Sequence, residues 1–350
     1  MKRIISAIAA IFCCVAMSVA QTNFIATLQH DGNFRHFYGQ DALISAHAAA
    51  ADGDIITLSP GTFTWSGDFT KGITLRGNGM DAAEKTYISG EVSMYSEGGD
   101  KKTVIEGIHF YNTITIYSES SKENGSYGNI SFIKDRFSLI ETRYRLRSGS
   151  NGPEVRIYNS YIVGMHFYTP SDVTVYNSFV GNPISDSTIG NCMINFVNCK
   201  IQHNATSSDI GGNVYTYIRS ARYLNFYNCI FIPGLYSNQT LLSDNKIPST
   251  STCYNCLSLK NTNLFADLRA GSNNKFEADP SLVHPDGQLS QLTEDAKSKY
   301  IGTDGTEIGI YGGMYPWNNT VQYPTVTTFQ PEPKTSKEGI LNIQVAVDEE

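Results

Sequence analysis

Basic residues are scarce in this chain, which limits the partners it can have. The 350 residues contain 26 Lys and Arg against 33 Asp and Glu, for a formal net charge of −7, and only 17% of all residues are charged. Proteins that bind nucleic acid usually present an excess of positive charge. We therefore predict that nucleic acid is not a partner.

Long apolar runs are missing beyond residue 20. Near the start, Lys2 and Arg3 precede an apolar run over residues 4–19, and Ser18 and Ala20 fit a small-x-small cleavage site. The run is short for a transmembrane anchor, and its two cysteines lack a clear lipobox, so lipid anchoring is the weaker alternative. We predict a secretion signal over residues 1–20 and a protein exported to the periplasm, the cell surface or the medium. Removing Lys2 and Arg3 changes the net charge from −7 to −9.

Clusters of metal-binding side chains are also missing. The pair Cys253 and Cys256 forms C-x-x-C without the nearby Cys or His companions of a zinc site. A calcium site needs several carboxylates together, and the candidates are spread over different turns: Asp172, Asp186, Asp209 and Asp244. We predict no metal and no cofactor, with calcium left open as an alternative that the sequence does not support.

A short motif, apolar-x-apolar-x-Asn followed by a small residue, recurs along the chain. It is clearest in VRIYNSYIVG at 155–164 and VTVYNSFVGN at 173–182. Gly77 and Gly107 occupy the Asn position upstream. Equal parity puts the apolar residues on one face of a strand, and unequal intervals between copies indicate one coil per repeat with loops of different length. The recurring residues are Asn159, Asn177, Asn198, Asn228 and Asn255.

Asn and Gly both tolerate positive φ, so the shared position predicts a left-handed bend. In stacked coils the amides can also bond to one another, as in stacked in-register strands. The pattern therefore predicts a three-walled parallel β-solenoid in which the five asparagines form one structural ladder. Cys199, Cys229 and Cys256 follow ladder positions where earlier coils carry serine. They predict buried thiols, with disulfides between adjacent coils as the alternative.

Both ends of the solenoid need a cover. Residues 37–51 (FYGQDALISAHAAAA) predict a capping helix with Leu43 or Ile44 buried and His47 on its polar side. A β-prone run at 340–347 predicts a tail strand that returns to the solenoid flank or docks on a partner. We divide the chain into a signal (1–20), an N-terminal segment with the capping helix (21–51), the solenoid (52–315) and a Pro-punctuated tail (316–350).

Three further motifs accompany the repeat. GDIITLSPGTF at 53–63 leads to ITLRG at 73–77, ADPSL stands at 278–282, and DGTEIG stands at 304–309. Over residues 52–313 the chain resembles the right-handed parallel β-helix of the secreted bacterial pectate-lyase-like superfamily. The resemblance implies a single-stranded right-handed β-helix whose closing coil carries the last two motifs. We interpret Asp304 as a turn residue.

The resemblance does not extend to known catalytic motifs. The chain has no W-x-D-H or R-x-P-x-R segment of the calcium pectate lyases, no N-T-D and R-I-K set of the polygalacturonases, and no D-F-I-F-G of the pectin methylesterases. Several activities share this fold, so the fold alone predicts none of them.

Four alternating segments predict the third strand of successive coils, at 113–117 (TITIY), 143–147 (RYRLR), 165–168 (MHFY) and 214–219 (VYTYIR). The parity is broken near Asp135, and we place the arginines outside because burying three unpaired charges is costly. The outward residues then form one surface, which we call the outward strip. Its members are Thr113, Thr115, Tyr117, Arg143, Arg145, Arg147, His166, Tyr168, Tyr215, Tyr217 and Arg219.

The outward strip predicts binding of an acidic polysaccharide, because arginines bind carboxylates and tyrosine rings stack on sugars. The alternative is a solvated face with Arg–Glu pairs that involve Glu141 and Glu154.

If the protein is an enzyme, β-elimination is favoured, since hydrolysis usually needs two facing carboxyl groups and Glu141 and Asp186 lie at the margins. In that hypothesis Arg143 or Arg145 neutralises a uronate and His166 or Tyr168 is the base. The substrate-binding residues are Arg147, Tyr215, Tyr217 and Arg219. A non-catalytic surface scaffold or adhesin-like protein is the other function considered.

Overall fold

The computed structural model describes residues 24–95, 101–118, 129–144, 153–167, 171–185, 193–202, 224–232, 252–258, 270–272, 274–276, 291–318, 325–331 and 343–348. The fold is an all-β parallel solenoid, and its stacked coils fit a right-handed β-helix. The predicted fold class is therefore confirmed.

The described residues form 26 strands and two helices. The helices are α1 (Ala42–Ala49) and α2 (Glu294–Lys299). The strands are β1 (Ile25–His30), β2 (Asn33–Tyr38), β3 (Ile55–Leu58), β4 (Gly61–Thr64), β5 (Asp68–Phe69), β6 (Thr74–Arg76), β7 (Thr86–Ser89), β8 (Val92–Tyr95), β9 (Lys102–Glu106), β10 (Ile108–Ser118), β11 (Asn129–Ile133), β12 (Arg136–Tyr144), β13 (Glu154–Tyr158), β14 (Tyr161–Phe167), β15 (Asp172–Tyr176), β16 (Phe179–Ser185), β17 (Met193–Val197), β18 (Lys200–Gln202), β19 (Leu224–Tyr227), β20 (Ile230–Ile232), β21 (Thr252–Tyr254), β22 (Leu257–Ser258), β23 (Ala270–Ser272), β24 (Lys275–Phe276), β25 (Thr325–Pro331) and β26 (Ile343–Asp348).

Two twelve-stranded sheets form the walls of the solenoid. The first has the order β2-β1-β3-β6-β9-β11-β13-β15-β17-β19-β21-β23, and the second runs β24-β22-β20-β18-β16-β14-β12-β10-β7-β4 with β5 and β8 attached at its side. Successive coils pair in parallel, so each coil adds one strand to each wall. Like side chains stack inside, as Phe196 and Phe226 do with ring centroids 4.9 Å apart. This stacking of apolar side chains forms the core.

The predicted third wall is continuous with the second sheet. The register of β10 against β12 shifts between Phe110 and Thr113, and we call this irregularity the corner. Beyond the corner Ile114 and Ile116 point inward, with 0% and 1% exposure. In the next coils Met165 and Phe167 are also fully buried. The parity predicted for these segments is therefore confirmed.

The asparagine bends are confirmed by their backbone angles. All five adopt positive φ between 44° and 55°, and the backbone N–H of Asn177 donates to the carbonyl of Val197 in the next coil at 3.0 Å. Asn228 Nδ2 donates to Asn198 Oδ1 at 3.4 Å, which is the predicted bond between ladder amides. Gly107 shares the left-handed conformation with φ 71°, whereas Gly77 does not adopt positive φ, so the left-handed bend predicted there is wrong.

Most of the ladder amides that the structure describes bond to another part of the chain. Residues 301–317, which we call the strap, run along the column of bends in the reverse direction. Thr303 contacts Asn228, the carbonyl of Glu307 accepts from Asn198, and the carbonyl of Tyr315 accepts from Asn159. Asn177 Nδ2 donates to two strap carbonyls. The strap therefore satisfies backbone groups and fastens successive coils together.

The strap corrects the prediction that residues 304–309 belong to a closing coil, and the other motif predicted for that coil, at 278–282, lies outside the described residues. Residues 304–309 form turns, with an isolated bridge between Ile301 and Glu307. Asp304 accepts hydrogen bonds from the N–H and hydroxyl of Thr306, so its interpretation as a turn residue is confirmed. α2 precedes the strap, and Ala296 packs with Ile230 and Leu257 on the outside of the second sheet. The helix α2 therefore covers this flank of the solenoid.

The coil around Asp135 has its bend at Lys134, which the Asn and Gly pattern missed. Lys134 has φ 54°, while Ile130 and Phe132 before it are buried. The following Asp135 is fully buried and accepts hydrogen bonds from the N–H groups of Ile108 and Ile133. The apolar-x-apolar-x-bend parity therefore holds here too, with a lysine in the left-handed position.

Replacing Lys134 with Asn is expected to raise the free energy of unfolding by about 1 kcal/mol, because a lysine in the left-handed region is strained and Asn tolerates it. The measurement is urea unfolding, in which the midpoint should rise at constant slope. Lys134→Ala is the control, since it removes the side chain and keeps the strain. Equal midpoints for the Asn and Ala variants would contradict the explanation.

The residues after the bends form a buried polar column inside the wall. The N–H of Ser160 donates to Ser178 Oγ at 3.0 Å, and that of Asp135 donates to Ser160 Oγ at 3.1 Å. Cys199, Cys229 and Cys256 continue the column as buried free thiols, and Cys229 Sγ bonds to the carbonyls of Phe196 and Tyr227. Cys253 is also free and buried. The prediction of buried thiols is confirmed for the three cysteines of the column, and Cys192 lies outside the described residues.

The N-terminal cap differs from the predicted helix in two ways. The helix starts at Ala42, and Phe37 belongs to β2, which forms a hairpin with β1; β1 then pairs antiparallel with β3. Leu43 is fully buried as predicted. His47 was predicted on the polar side, which is wrong, because it is 7% exposed and packs against Trp65 and Phe69. A hairpin and a helix together cover the first coil.

The tail contains a two-stranded antiparallel sheet of β25 and β26. Its docking on the flank or on a partner stays a prediction. Neither helix in the described part of the chain is long and apolar enough to cross a membrane.

Candidate functional site

Backbone register brings part of the outward strip together. Thr115 in β10 pairs with Glu141 in β12, and Glu141 pairs with His166 in β14. Their neighbours in sequence, such as Ile140 and Met165, are fully buried. Because side chains alternate along a strand, Thr115, Glu141 and His166 form one outward row.

A second outward row lies beside the first, where Tyr117 pairs with Arg143. The Arg143 side chain is 58% exposed, so the prediction that it points outward is confirmed. Tyr117 is half-buried. The rows are two residues apart along each strand, or roughly 6.6 Å, so a ligand of two or three sugar rings can touch both rows.

Glu141 is the centre of this arrangement, which corrects its predicted place at the margin of the outward strip. Its side chain is only 3% exposed although it points outward. Arg143 Nε lies 2.7 Å from Glu141 Oε1, and Arg143 Nη2 donates to Oε2 at 3.1 Å. Thr115 Oγ1 donates to Oε1 at 2.9 Å. The carboxylate is therefore held from two sides and orients the guanidinium.

His166 is half-buried beside this pair. Desolvation lowers the pKa of His166, with Glu141 raising it and Arg143 lowering it further. A lower pKa keeps more of the imidazole neutral near pH 7, and a neutral imidazole can accept a proton. A neutral ring is the form that a base requires, and the role of His166 as a base stays a prediction.

Most of the other residues predicted for the outward strip lie outside the described residues. They are Arg145, Arg147, Tyr168, Tyr215, Tyr217 and Arg219. Arg143 in β12 and His166 in β14 lie in neighbouring coils. Thr115, predicted to face outward, is 9% exposed because it bonds to Glu141.

Two carboxyl groups on the described part of this wall, those of Asp68 and Glu141, are far apart. Asp68 in β5 pairs with Ser93 in β8, and Ser93 pairs with Thr115. Glu141 is therefore three strands from Asp68, or roughly 14 Å. Paired carboxyl groups of glycosidases stand about 5–9.5 Å apart, so these two do not form a hydrolytic pair.

Aromatic side chains next to the corner were not singled out from the sequence. Tyr87 and Tyr111 stack with ring centroids 4.8 Å apart and planes 3° apart, and Tyr111 is 55% exposed. The Arg136 guanidinium lies 4.3 Å from the ring centroid of Tyr161. Tyr87 lies in β7 and is paired in register with His109 of β10, and Tyr111 stands two residues beyond His109, so only the coil register reveals the contact.

Glu154, the other candidate for an Arg–Glu pair, lies on the first sheet. It pairs with Arg156 at 2.6 Å, and Arg156 also pairs with Asp172 at 3.3 Å. Both predicted kinds of Arg–Glu pair therefore exist, but only that of Glu141 belongs to the outward strip. Among the described residues no group of three or more His, Cys, Asp or Glu side chains could hold a metal ion.

Comparison with known proteins gives no relative: no family model, no curated protein and no solved structure matches the chain.

Proposed function

We propose that this protein is exported, that it is a β-helix of the pectate-lyase-like kind, and that it binds an acidic polysaccharide on the outward strip. The observation that carries the proposal is the exposed guanidinium of Arg143, oriented by Glu141 beside His166 and Tyr117. Two of its five N–H donors bond to Glu141. Others remain for a sugar carboxylate, while Tyr117 offers a ring and a hydroxyl.

β-Elimination is the chemistry that these groups would support. A guanidinium bound to a uronate carboxylate makes the adjacent C–H more acidic, and the neutral imidazole of His166 can take that proton. The glycosidic C–O bond on the neighbouring carbon then breaks, the departing oxygen takes a proton, and a double bond remains in the sugar. No step requires a second carboxyl group. The non-catalytic scaffold is the alternative in which binding is the whole function.

The test is incubation of the mature protein with polygalacturonate, alginate and hyaluronan, with retention and ultraviolet absorbance measured together. Retention that weakens with salt is expected, because the contacts are charged and exposed. Unsaturated products would support elimination, and retention without products would favour the scaffold. New reducing ends without unsaturation would mean hydrolysis and contradict the proposed chemistry.

Replacing Tyr117 with Ala is expected to weaken glycan binding roughly tenfold, which corresponds to about 1.4 kcal/mol, by removing its ring beside Arg143. Tyr254→Ala is the matched control, because Tyr254 is also half-buried but stacks on Tyr227 at the first sheet. Its affinity should match that of the unchanged protein. Equal losses in both variants would place the site elsewhere.

A further inference from the structure

We propose that Glu141 is the specificity-determining residue of the outward strip, and that it selects glycans in which uronates are separated by neutral sugars. This inference rests on the proposed function and names the class of acidic glycan. It follows from the position of the carboxylate, which stands in the row of Thr115 and His166 and contacts Arg143 of the neighbouring row.

The two residues of the Glu141–Arg143 pair differ in their exposure to solvent. Glu141 is buried, with 2% exposure of the residue, while the Arg143 side chain is 58% exposed. A ligand can therefore reach the guanidinium but hardly touches the carboxylate. Thr115 Oγ1 holds Oε1 from the other side at 2.9 Å, so Glu141 has little freedom to turn away.

A sugar carboxylate that binds Arg143 comes within a few ångströms of the Glu141 carboxylate. Water and salt screen a buried charge less than an exposed one, so the two carboxylates repel each other. The guanidinium then acts as a directional donor rather than as an uncompensated positive charge. One well-placed uronate can use the remaining donors through bidentate bonding.

A glycan chain with a carboxylate on every sugar has a further energetic penalty when it binds beside Glu141. Its neighbouring carboxylates must also lie near Glu141, and the guanidinium that would attract them is already neutralised. A chain with alternating neutral sugars places uncharged rings there instead, next to Tyr117. Like-charge juxtaposition is a common means of excluding wrong partners.

The experiment compares binding of polygalacturonate, which is charged on every sugar, with binding of hyaluronan, in which uronate and neutral sugars alternate. Glu141→Gln keeps the shape and the acceptor oxygen for Thr115 but removes the charge. We expect the ratio of affinities to shift toward polygalacturonate by about tenfold, equal to 1.4 kcal/mol. The decrease of polygalacturonate affinity with salt should also become steeper, because Arg143 is no longer neutralised.

Two further variants separate this effect from others. Glu154→Gln removes the same charge at the Arg156 pair on the first sheet and should leave the ratio unchanged. In the double variant that combines Glu141→Gln with Arg143→Gln, the shift of the affinity ratio toward polygalacturonate should disappear. A folded Glu141→Gln protein with an unaltered ratio, or an equal shift in Glu154→Gln, would overturn the inference while leaving the proposed function in place. If neither glycan binds to the unchanged protein or to Glu141→Gln, both proposals fail.

Discussion

Replacing Asn177 with Val is expected to lower the free energy of unfolding by about 4 kcal/mol. A β-branched residue at φ 44° is strained, which costs about 1–2 kcal/mol. Asn177 is 1% exposed, and its Nδ2 donates to the carbonyls of Ile310 and Gly312 in the strap. Leaving buried acceptors unsatisfied costs about 1–3 kcal/mol. Chemical unfolding followed by fluorescence measures the sum.

Two control variants divide this loss into its parts. Asn177→Gly avoids the strain of the valine variant and removes only the side-chain amide. Its free energy of unfolding should fall by about 2 kcal/mol. Asn255→Val introduces the strain alone, because Asn255 has φ 52° and the described strap bonds end at Asn228. Hydrogen exchange in residues 301–317 should quicken in both Asn177 variants and not in Asn255→Val. Unchanged exchange in Asn177→Gly would show that the amide does not hold the strap.

Acidification from pH 6.5 to pH 4 is expected to cost about 3 kcal/mol of stability through His47 alone. Burial, together with the smaller effect of the nearby Lys71 charge, lowers the pKa of His47 to about 4. The unfolded chain keeps a pKa near 6.5 and so binds the proton first, which means that stability is full above pH 6.5 and falls toward pH 4. Each pKa unit corresponds to about 1.36 kcal/mol. The ring sits between Trp65 and Phe69.

The variant His47→Leu tests this origin of acid sensitivity. It removes the ionisable ring, whose Nε2 has no hydrogen-bond partner among the described residues, and should flatten the stability curve below pH 6.5. His30→Leu should instead make the loss of stability below pH 6.5 steeper. Its hydrogen bond to Asp54, at 2.7 Å, raises the pKa of His30, so this histidine contributes stability that is present below pH 6.5. A curve for His47→Leu that parallels that of the unchanged protein would refute the assignment.

Local periodicity was sufficient to predict the coils. A strand has period two, so the inward row could be counted back from each asparagine, which placed Phe196 inward, and the alternation of residues 165–168 placed Met165 inward. The left-handed bend was predictable where Asn marks it. Lys134 was missed because residue type carries only a preference for that conformation, and the parity of Ile130 and Phe132 was the usable signal.

Contacts between distant segments could not be read from the pattern. His47 seemed polar from its helical neighbours, yet its burial is decided by Trp65 and Phe69 in the first coils. Glu141 lies on the outward strip because the irregular register at the corner breaks the alternation. The strap has no period at all, and its bonds join residues as far apart as Asn159 and Tyr315.

The strap also governs the order in which the protein can fold. In a simple solenoid each coil contacts only its neighbours, so folding can begin anywhere and the ends can fray separately. Here bonds such as Asn159–Tyr315 span 156 positions, and they close only after nearly all of the chain has been synthesised. Such long-range closure slows folding and leaves earlier coils uncovered for a time. Once closed, it links the opening of one coil to that of the others, so the molecule should unfold cooperatively.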